Sequence, residues 1–390
     1  MALLRSGCGI SAVCPPGHPL RLIAGVESTY RYGAFNPTGS LKAAIRAARP
    51  DLIIPCDDGA AWQLHELHAT DAILRPVIER SLGAAKAYPI LQSRALVLQA
   101  AAELGIRVPC TKDVRVAQDL RNPDLHWPAV LKLDGTWGGE GVAIVRDPSE
   151  GMRKFGSLHK AGGGARAWKR FLINRHPLAL WLWRRGKAPA VSIQAFIPGR
   201  QATTMFACWQ GEVLASVSVE VLAANGPTGA AMIVRLLRHE EIEQAARLLA
   251  RRFTLSGLHG LDFVLEEGTD AAYMIEMNPR ATQLGHLNLF PQGSLAHALA
   301  AMLMEDTAAP ADSTPRIHGD TIVLFPLAWK ANPANPLLIE AFHDVPWEQP
   351  ALVRELLRDP WPERRLQSRI FDSIWNPRSG NSSSAGAPED

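Results

Sequence analysis

The chain of 390 residues has no long apolar run. Short apolar stretches such as Leu178 to Trp183 run to six residues, whereas a membrane-spanning helix needs about 20. Cysteine is scarce: Cys8, Cys14, Cys56, Cys110 and Cys208 form no CxxC pair and no Cys/His ligand spacing. They read as reduced thiols of a cytoplasmic protein. Neither sign of charge prevails, with 41 Lys and Arg against 38 Asp and Glu, so nothing global calls for nucleic acid. The histidines show no HExxH or comparable spacing, no nucleophilic triad is visible, and the phosphate motif GxxxxGK[ST] does not occur. His65 and His68 read as core or surface histidines. The N-terminus is not expected to be a secretory signal: Ser6-Gly7-Cys8 has the look of a lipoprotein cleavage site, but Arg5 and the lack of an apolar core argue against it.

What is present is the composition of a globular protein, 47% hydrophobic and 20% charged, in a chain long enough for two or three domains. The first residues read as the end of a helix entering a strand at Gly9–Val13. A second strand is expected at Leu20–Ala24, a helix at Leu41–Ala48, and a short buried strand at Asp51–Cys56 before Asp57-Asp58-Gly59 and a further helix. This alternation predicts a parallel α/β layer, a Rossmann-like domain over residues 1–85. Such a domain normally opens with a strand; its opening strand is expected to be lost or to lie upstream of the given start.

The sharpest signal is the pair of runs Asp262-Phe263-Val264-Leu265 and Tyr273-Met274-Ile275-Glu276-Met277-Asn278-Pro279-Arg280, separated by the turn-like Glu267-Gly268-Thr269-Asp270. A hairpin there brings Asp262, Glu276 and Asn278 together. A carboxylate inside so apolar a strand as Tyr273–Met277 is costly unless paired or metal-bound. An all-oxygen cluster suits Mg²⁺, with Mn²⁺ as a substitute, held jointly with substrate phosphates. Arg280, two residues beyond Asn278, is placed to grip an anion in bidentate fashion.

Upstream, Lys132 lies on the apolar strand Ala129–Leu133. The glycine-rich stretch Asp134 to Gly141 follows, with Gly138 and Gly139 at its centre, and then the strand Val142–Val145. Glycines let backbone amides approach an anion, and the lysine adds a point charge for phosphates. The stretch Gln194-Ala195-Phe196-Ile197-Pro198-Gly199-Arg200-Gln201 is a strand and linker able to offer backbone groups, with Phe196 and Ile197 against a flat base. Antiparallel strands are expected at Val191–Ile197, Ala202–Trp209 and Val213–Val219, and helices at Ser93–Leu104, Glu240–Arg252 and Gly293–Leu303.

The order of these features over residues 86–300 resembles the ATP-grasp superfamily, in particular its carboxylate–amine ligases. The resemblance implies a fold class of α/β and α+β: the Rossmann-like N-terminal domain, then a two-lobed ATP-grasp fold. It divides the chain into a lid subdomain over 86–195, a C-terminal subdomain with the metal site over 196–330, an extension over 331–376 and a disordered tail over 377–390. By position, Lys132 and Arg94 would meet the nucleotide phosphates, and Gln194, Phe196, Ile197 and Gln201 would line the adenine and ribose. Asp262, Glu276 and Asn278 would hold Mg²⁺. Arg280 would handle the acyl-phosphate or substrate carboxylate, and Arg235, on Met232–Arg235, would face the same phosphates. Arg94 stands where the family usually has lysine, and Gln194 and Gln201 where it often has acids. The implied chemistry joins a small carboxylate to an amine with ATP. Two alternatives are a nucleotide-binding protein without ligase activity and a carboxylase using bicarbonate. Gln283 and His286 are candidate substrate contacts.

Residues 151–190 carry ten Lys or Arg and no acid, interleaved with Phe155, Trp168, Phe171, Trp181 and Trp183. Such a segment fits an anionic substrate, an acidic partner or an anionic membrane surface, or a solvated lid face whose aromatics pack on the core.

Overall fold

The computed structural model describes all residues except 34, 123, 134–140, 162–189, 227, 290–292, 305–316 and 359–390, and the side chains of 159–161. Two parallel strands, β1 (Ile10–Cys14) and β2 (Val26–Arg31), open the fold, flanked by helices Pro37–Ala48, Asp58–Thr70 and Arg75–Leu82. Their shared core is Leu41, Ile45, Leu64, Leu67, Ile78 and Tyr88. The second strand differs from the expected Leu20–Ala24. Pro19 opens a tight turn over Pro19–Leu22, where the His18 ring nitrogen accepts the Leu20 N–H, and the strand forms next, where inward and outward positions alternate. Asp51–Cys56 is not a strand either. Pro55 lacks a ladder donor, the Ile53 N–H goes instead to Ser81 Oγ at 2.8 Å, and the segment runs between two apolar clusters.

A four-stranded antiparallel sheet follows, built of β3 (Thr111–Val114), β4 (Ala129–Leu133), β5 (Val142–Val145) and β6 (Val191–Ala195) in the order β3-β6-β4-β5. The helix Pro148–Ala161 covers one face, where Phe155 joins Leu131, Val145 and Ile193 in the core. Phe155, at the start of the basic segment, is thus a packing residue. Its other aromatics and most of its cations lie outside the described residues, as do Gly138, Gly139 and the expected disordered tail.

The largest sheet has seven strands: β7 (Gly199–Trp209), β8 (Glu212–Ala224), β9 (Ala231–Leu237), β10 (Gly257–Glu266), β11 (Ala272–Asn278), β12 (Thr321–Leu324) and β13 (Phe342–Asp344). Their order is β11-β10-β7-β8-β9-β12-β13. The helix Glu240–Phe253 buries Ile242, Ala245, Ala246, Leu249 and Phe253, a 3–4 periodicity, against Phe206, Leu261, Phe263 and Met274 on one face. Met205, Val217, Val219 and Val234 point the other way and meet Leu295 and Leu299 of the helix Leu295–Leu303. This second face carries the site. No helix among the described residues is long and apolar enough to cross a membrane.

Candidate active site

The site is organised by the β10–β11 hairpin. Gly268 and Asp270 take left-handed backbone conformations in its turn, as Glu267–Asp270 predicts. Asp262 and Glu276 are direct cross-strand partners, and Asp262 faces Thr203 of β7 on its other side. The pairing then shifts: Phe263 opposes Met274, which leaves Ile275 as an extra residue in β11. A bulge of this kind bends the strand and re-aims its groups. Here the Ile275 carbonyl turns to Lys132, whose Nζ donates to it at 3.2 Å. Asn278 Nδ2 donates to Asp262 Oδ2 at 2.9 Å.

Three cations surround these acids. Arg94 begins the helix Arg94–Glu103, capped by Ser93, and its Nη2 donates to Glu276 Oε1 at 2.7 Å. Lys132 reaches in from β4 and is buried. Arg280 follows Pro279 in a turn and donates from Nη2 to Asn278 Oδ1 at 3.1 Å and from Nε to Asp58 Oδ1 at 2.8 Å. Asp58 is the first residue of the helix Asp58–Thr70, so the N-terminal region supplies one wall of the site.

The two strand carboxyls are tuned in opposite directions. Burial pushes Glu276 up, but Arg94, Lys132 and Arg280 outweigh it and hold the group below the usual carboxylate range. Burial pushes Asp262 above that range, and the Glu276 charge adds to the effect. Burial also raises Asp58, more than its Arg280 partner lowers it. A divalent cation fits this donor set, because two carboxylates and an amide share one face and a cation would relieve the charge crowding at Asp262. Among the described residues no cluster of three or more His, Cys, Asp or Glu forms a metal site, so phosphate oxygens and water would complete the shell.

Of the expected nucleotide-facing residues, Gln194 is buried on β6 and its Nε2 donates to Thr111 Oγ1 at 3.2 Å. Phe196 and Ile197 are half-buried in the linker, and Gln201 is exposed on β7 opposite Val264. Arg235 is not brought to this cluster. It pairs with Glu220 across β8–β9, and Glu220 with Ala202 across β7–β8. That row lies one residue out of step with Asp262 and Thr203, so the pleat turns Arg235 to the opposite face. Its guanidinium is 3.9 Å from Asp320. Gln283 and His286 also turn away, Gln283 to the Ala231 carbonyl and His286 to Asp344 at 2.8 Å. Sequence reasoning did not foresee the Asp58–Arg280 pair or the Ile275 bulge. The signal for the pair was Asp57-Asp58-Gly59 at a helix start.

The family model described as an ATP-grasp domain matches residues 182–283, a span that holds Gln194, Asp262, Glu276, Asn278 and Arg280. The chain has an ATP-grasp fold. A formate-dependent phosphoribosylglycinamide formyltransferase of Parasynechococcus marenigrum is 26% identical over 268 residues, covering 66% of this chain and 61% of that enzyme. The chain thus spans about three fifths of the length of the relative it matches. N5-carboxyaminoimidazole ribonucleotide synthetase from Thermus thermophilus superposes with a TM-score of 0.57 at 17% identity, over 80% of this chain and 77% of that one. L-amino acid ligase from Bacillus licheniformis gives 0.55 at 13%, over 78% of each chain. The biotin carboxylase domain of Hydrogenobacter thermophilus 2-oxoglutarate carboxylase, solved with Mg-ADP and bicarbonate, gives 0.56 at 13%, over 81% of this chain and 68% of that one.

Proposed function

We propose that this protein is an ATP- and Mg²⁺-dependent ligase that joins a carboxylate to an amine through an acyl-phosphate. The observation that carries the reading is the convergence of Arg94, Lys132 and Arg280 on the Asp262–Glu276 pair. Three fixed cations around two carboxylates are what a metal–triphosphate complex requires. In this reading Asp262, Glu276 and Asn278 hold Mg²⁺, which would offset charge on the phosphates. Lys132 and Arg94 bind phosphate oxygens, and Arg280 exchanges Asp58 or Asn278 for the substrate carboxylate or acyl-phosphate. The Gln194–Ile197 linker offers backbone groups to adenine, with Gln201 near the ribose. Gly138 and Gly139 would cover the phosphates, and the sheet bearing Lys132 acts as a lid that keeps water from the acyl-phosphate.

The carboxylate and amine are small molecules, and the five free thiols fit a reducing cytoplasm. The charge of the basic segment 151–190 would suit an acidic partner. Phosphate release from Mg-ATP that requires both a carboxylate and an amine tests the proposal. Binding of Mg-ATP without acceptor-dependent turnover would leave a nucleotide-binding protein instead. Stimulation by bicarbonate alone would turn the reading to a carboxylase.

A further inference from the structure

Ser192 on β6 is paired directly with Lys132 on β4. Directly opposed residues stand on one face of a sheet, with Cβ atoms about 4.5–5.5 Å apart, and Gln194, two residues along β6, shares that face. One face of the four-stranded sheet therefore carries a lysine, a hydroxyl and an amide side by side. Lys132 shows which way the face looks, since its ammonium reaches the Ile275 carbonyl beside Glu276.

Ser192 is 4% exposed, yet its Oγ has no hydrogen-bond partner among the described residues. Its neighbours are otherwise engaged or turned outward: Gln194 donates to Thr111, and Asp113, paired with Ser192 on its other side, is exposed. A buried hydroxyl left without a partner costs on the order of 1–3 kcal/mol, and native structures rarely leave one except where an absent group completes it. The group that a lysine at this distance attracts is an anion.

We infer that Ser192 is a further nucleotide-binding residue, whose hydroxyl donates to a phosphate oxygen of the nucleotide held by Lys132. The inference rests on the nucleotide reading given above. The test measures Mg-ADP affinity by calorimetry, and thermal unfolding without ligand, for wild type, Ser192→Ala and Ser192→Thr. Ser192→Ala is expected to bind Mg-ADP on the order of ten-fold more weakly. It should unfold at the wild-type temperature or above, because the orphaned group is gone, while Ser192→Thr should retain affinity. Tight binding by wild type with equal binding by Ser192→Ala would overturn the role of Ser192 and leave the nucleotide reading intact. A drop of several degrees in the unliganded Ser192→Ala protein would mean that the hydroxyl already has a partner in the chain, which also overturns it. Wild type that fails to bind Mg-ADP would remove the nucleotide reading, and Ser192 with it.

Discussion

Arg94 and Glu276, 182 positions apart, meet at 2.7 Å. The contact joins the first residue of a helix to a strand carboxylate inside an apolar hairpin. Arg94 is almost buried, with 9% of its side chain exposed, and Glu276 is 28% exposed. Each charge makes the burial of the other tolerable, and the same pair stands where a triphosphate would bring further negative charge.

Removing the carboxylate therefore has two effects. Glu276→Ala is expected to abolish Mg²⁺-dependent ATP turnover and to lower stability by about 1–3 kcal/mol, because the part-buried ion pair and hydrogen bond with Arg94 are lost. Turnover and thermal unfolding on the same preparation check this. A variant that turns over Mg-ATP at close to the wild-type rate would sink the metal assignment.

Lys132→Met keeps the apolar stem and deletes the charge. The fold should persist, since the apolar stem that packs along β4 is kept. The kcat/KM for ATP should fall by roughly 10²-fold or more, the range for losing one fixed charge-stabilising donor. Steady-state kinetics at saturating Mg²⁺ decide it.

Asp58 and Arg280 form a half-buried pair at 2.8 Å. A double-mutant cycle with Asp58→Asn and Arg280→Met should show a coupling of about 1–2 kcal/mol in unfolding free energy. Additive losses would mean that the pair contributes no mutual stabilisation.

Two histidines make the fold acid-sensitive. Burial lowers His65 to about 3, helped by the His68 and His259 charges, and lowers His259 to about 4. The unfolded chain binds protons there near pH 6.5, so between that value and about pH 4 it holds more protons than the folded state. Stability must then fall as pH falls. From pH 7 to 5 the loss is about 2 kcal/mol for each histidine. Denaturant titrations at both pH values should show a smaller loss in His65→Gln than in wild type.

Gly199 opens β7 where a side chain has no room: an added Cβ would lie 2.0 Å from the Leu265 carbonyl oxygen. Gly199→Ala should cost at least about 1–3 kcal/mol, visible in the unfolding midpoint. A neutral result would mean that the β7–β10 pairing can separate there at little cost.

The legible parts of the fold were those in which periodicity and turn chemistry agreed. Ala129–Leu133 and Val142–Val145 are strands with the expected ends, and Ser93 caps its helix. The closeness of Asp262 and Glu276 was legible from the Glu267–Asp270 turn, but their direct pairing was not: the register from the turn would set Ile275 opposite Asp262, and the bulge moves Glu276 there. Less legible were elements whose partners are distant in sequence. The strand at Val26–Arg31 is mostly polar and depends on a parallel neighbour, and β13 is three residues long and finds its place only beside β12. Arg235 shows the limit most clearly. Its charge suited the site, but the face it occupies depends on registers across β7, β8 and β9 that no local pattern states.

The extra residue at Ile275 makes strand pairing act like a reading frame. Added residues within Glu267–Asp270 stay in the turn and leave Asp262 opposite Glu276, so that tip can accept a fluorophore or a short tag. Deleting Ile275 removes only the extra residue: Met274 stays opposite Phe263, Glu276 stays opposite Asp262, and the two now alternate as in a regular strand. What the deletion takes away is the carbonyl that Lys132 meets at 3.2 Å, so the lysine would lose that contact although each acidic and basic residue of the cluster was still present.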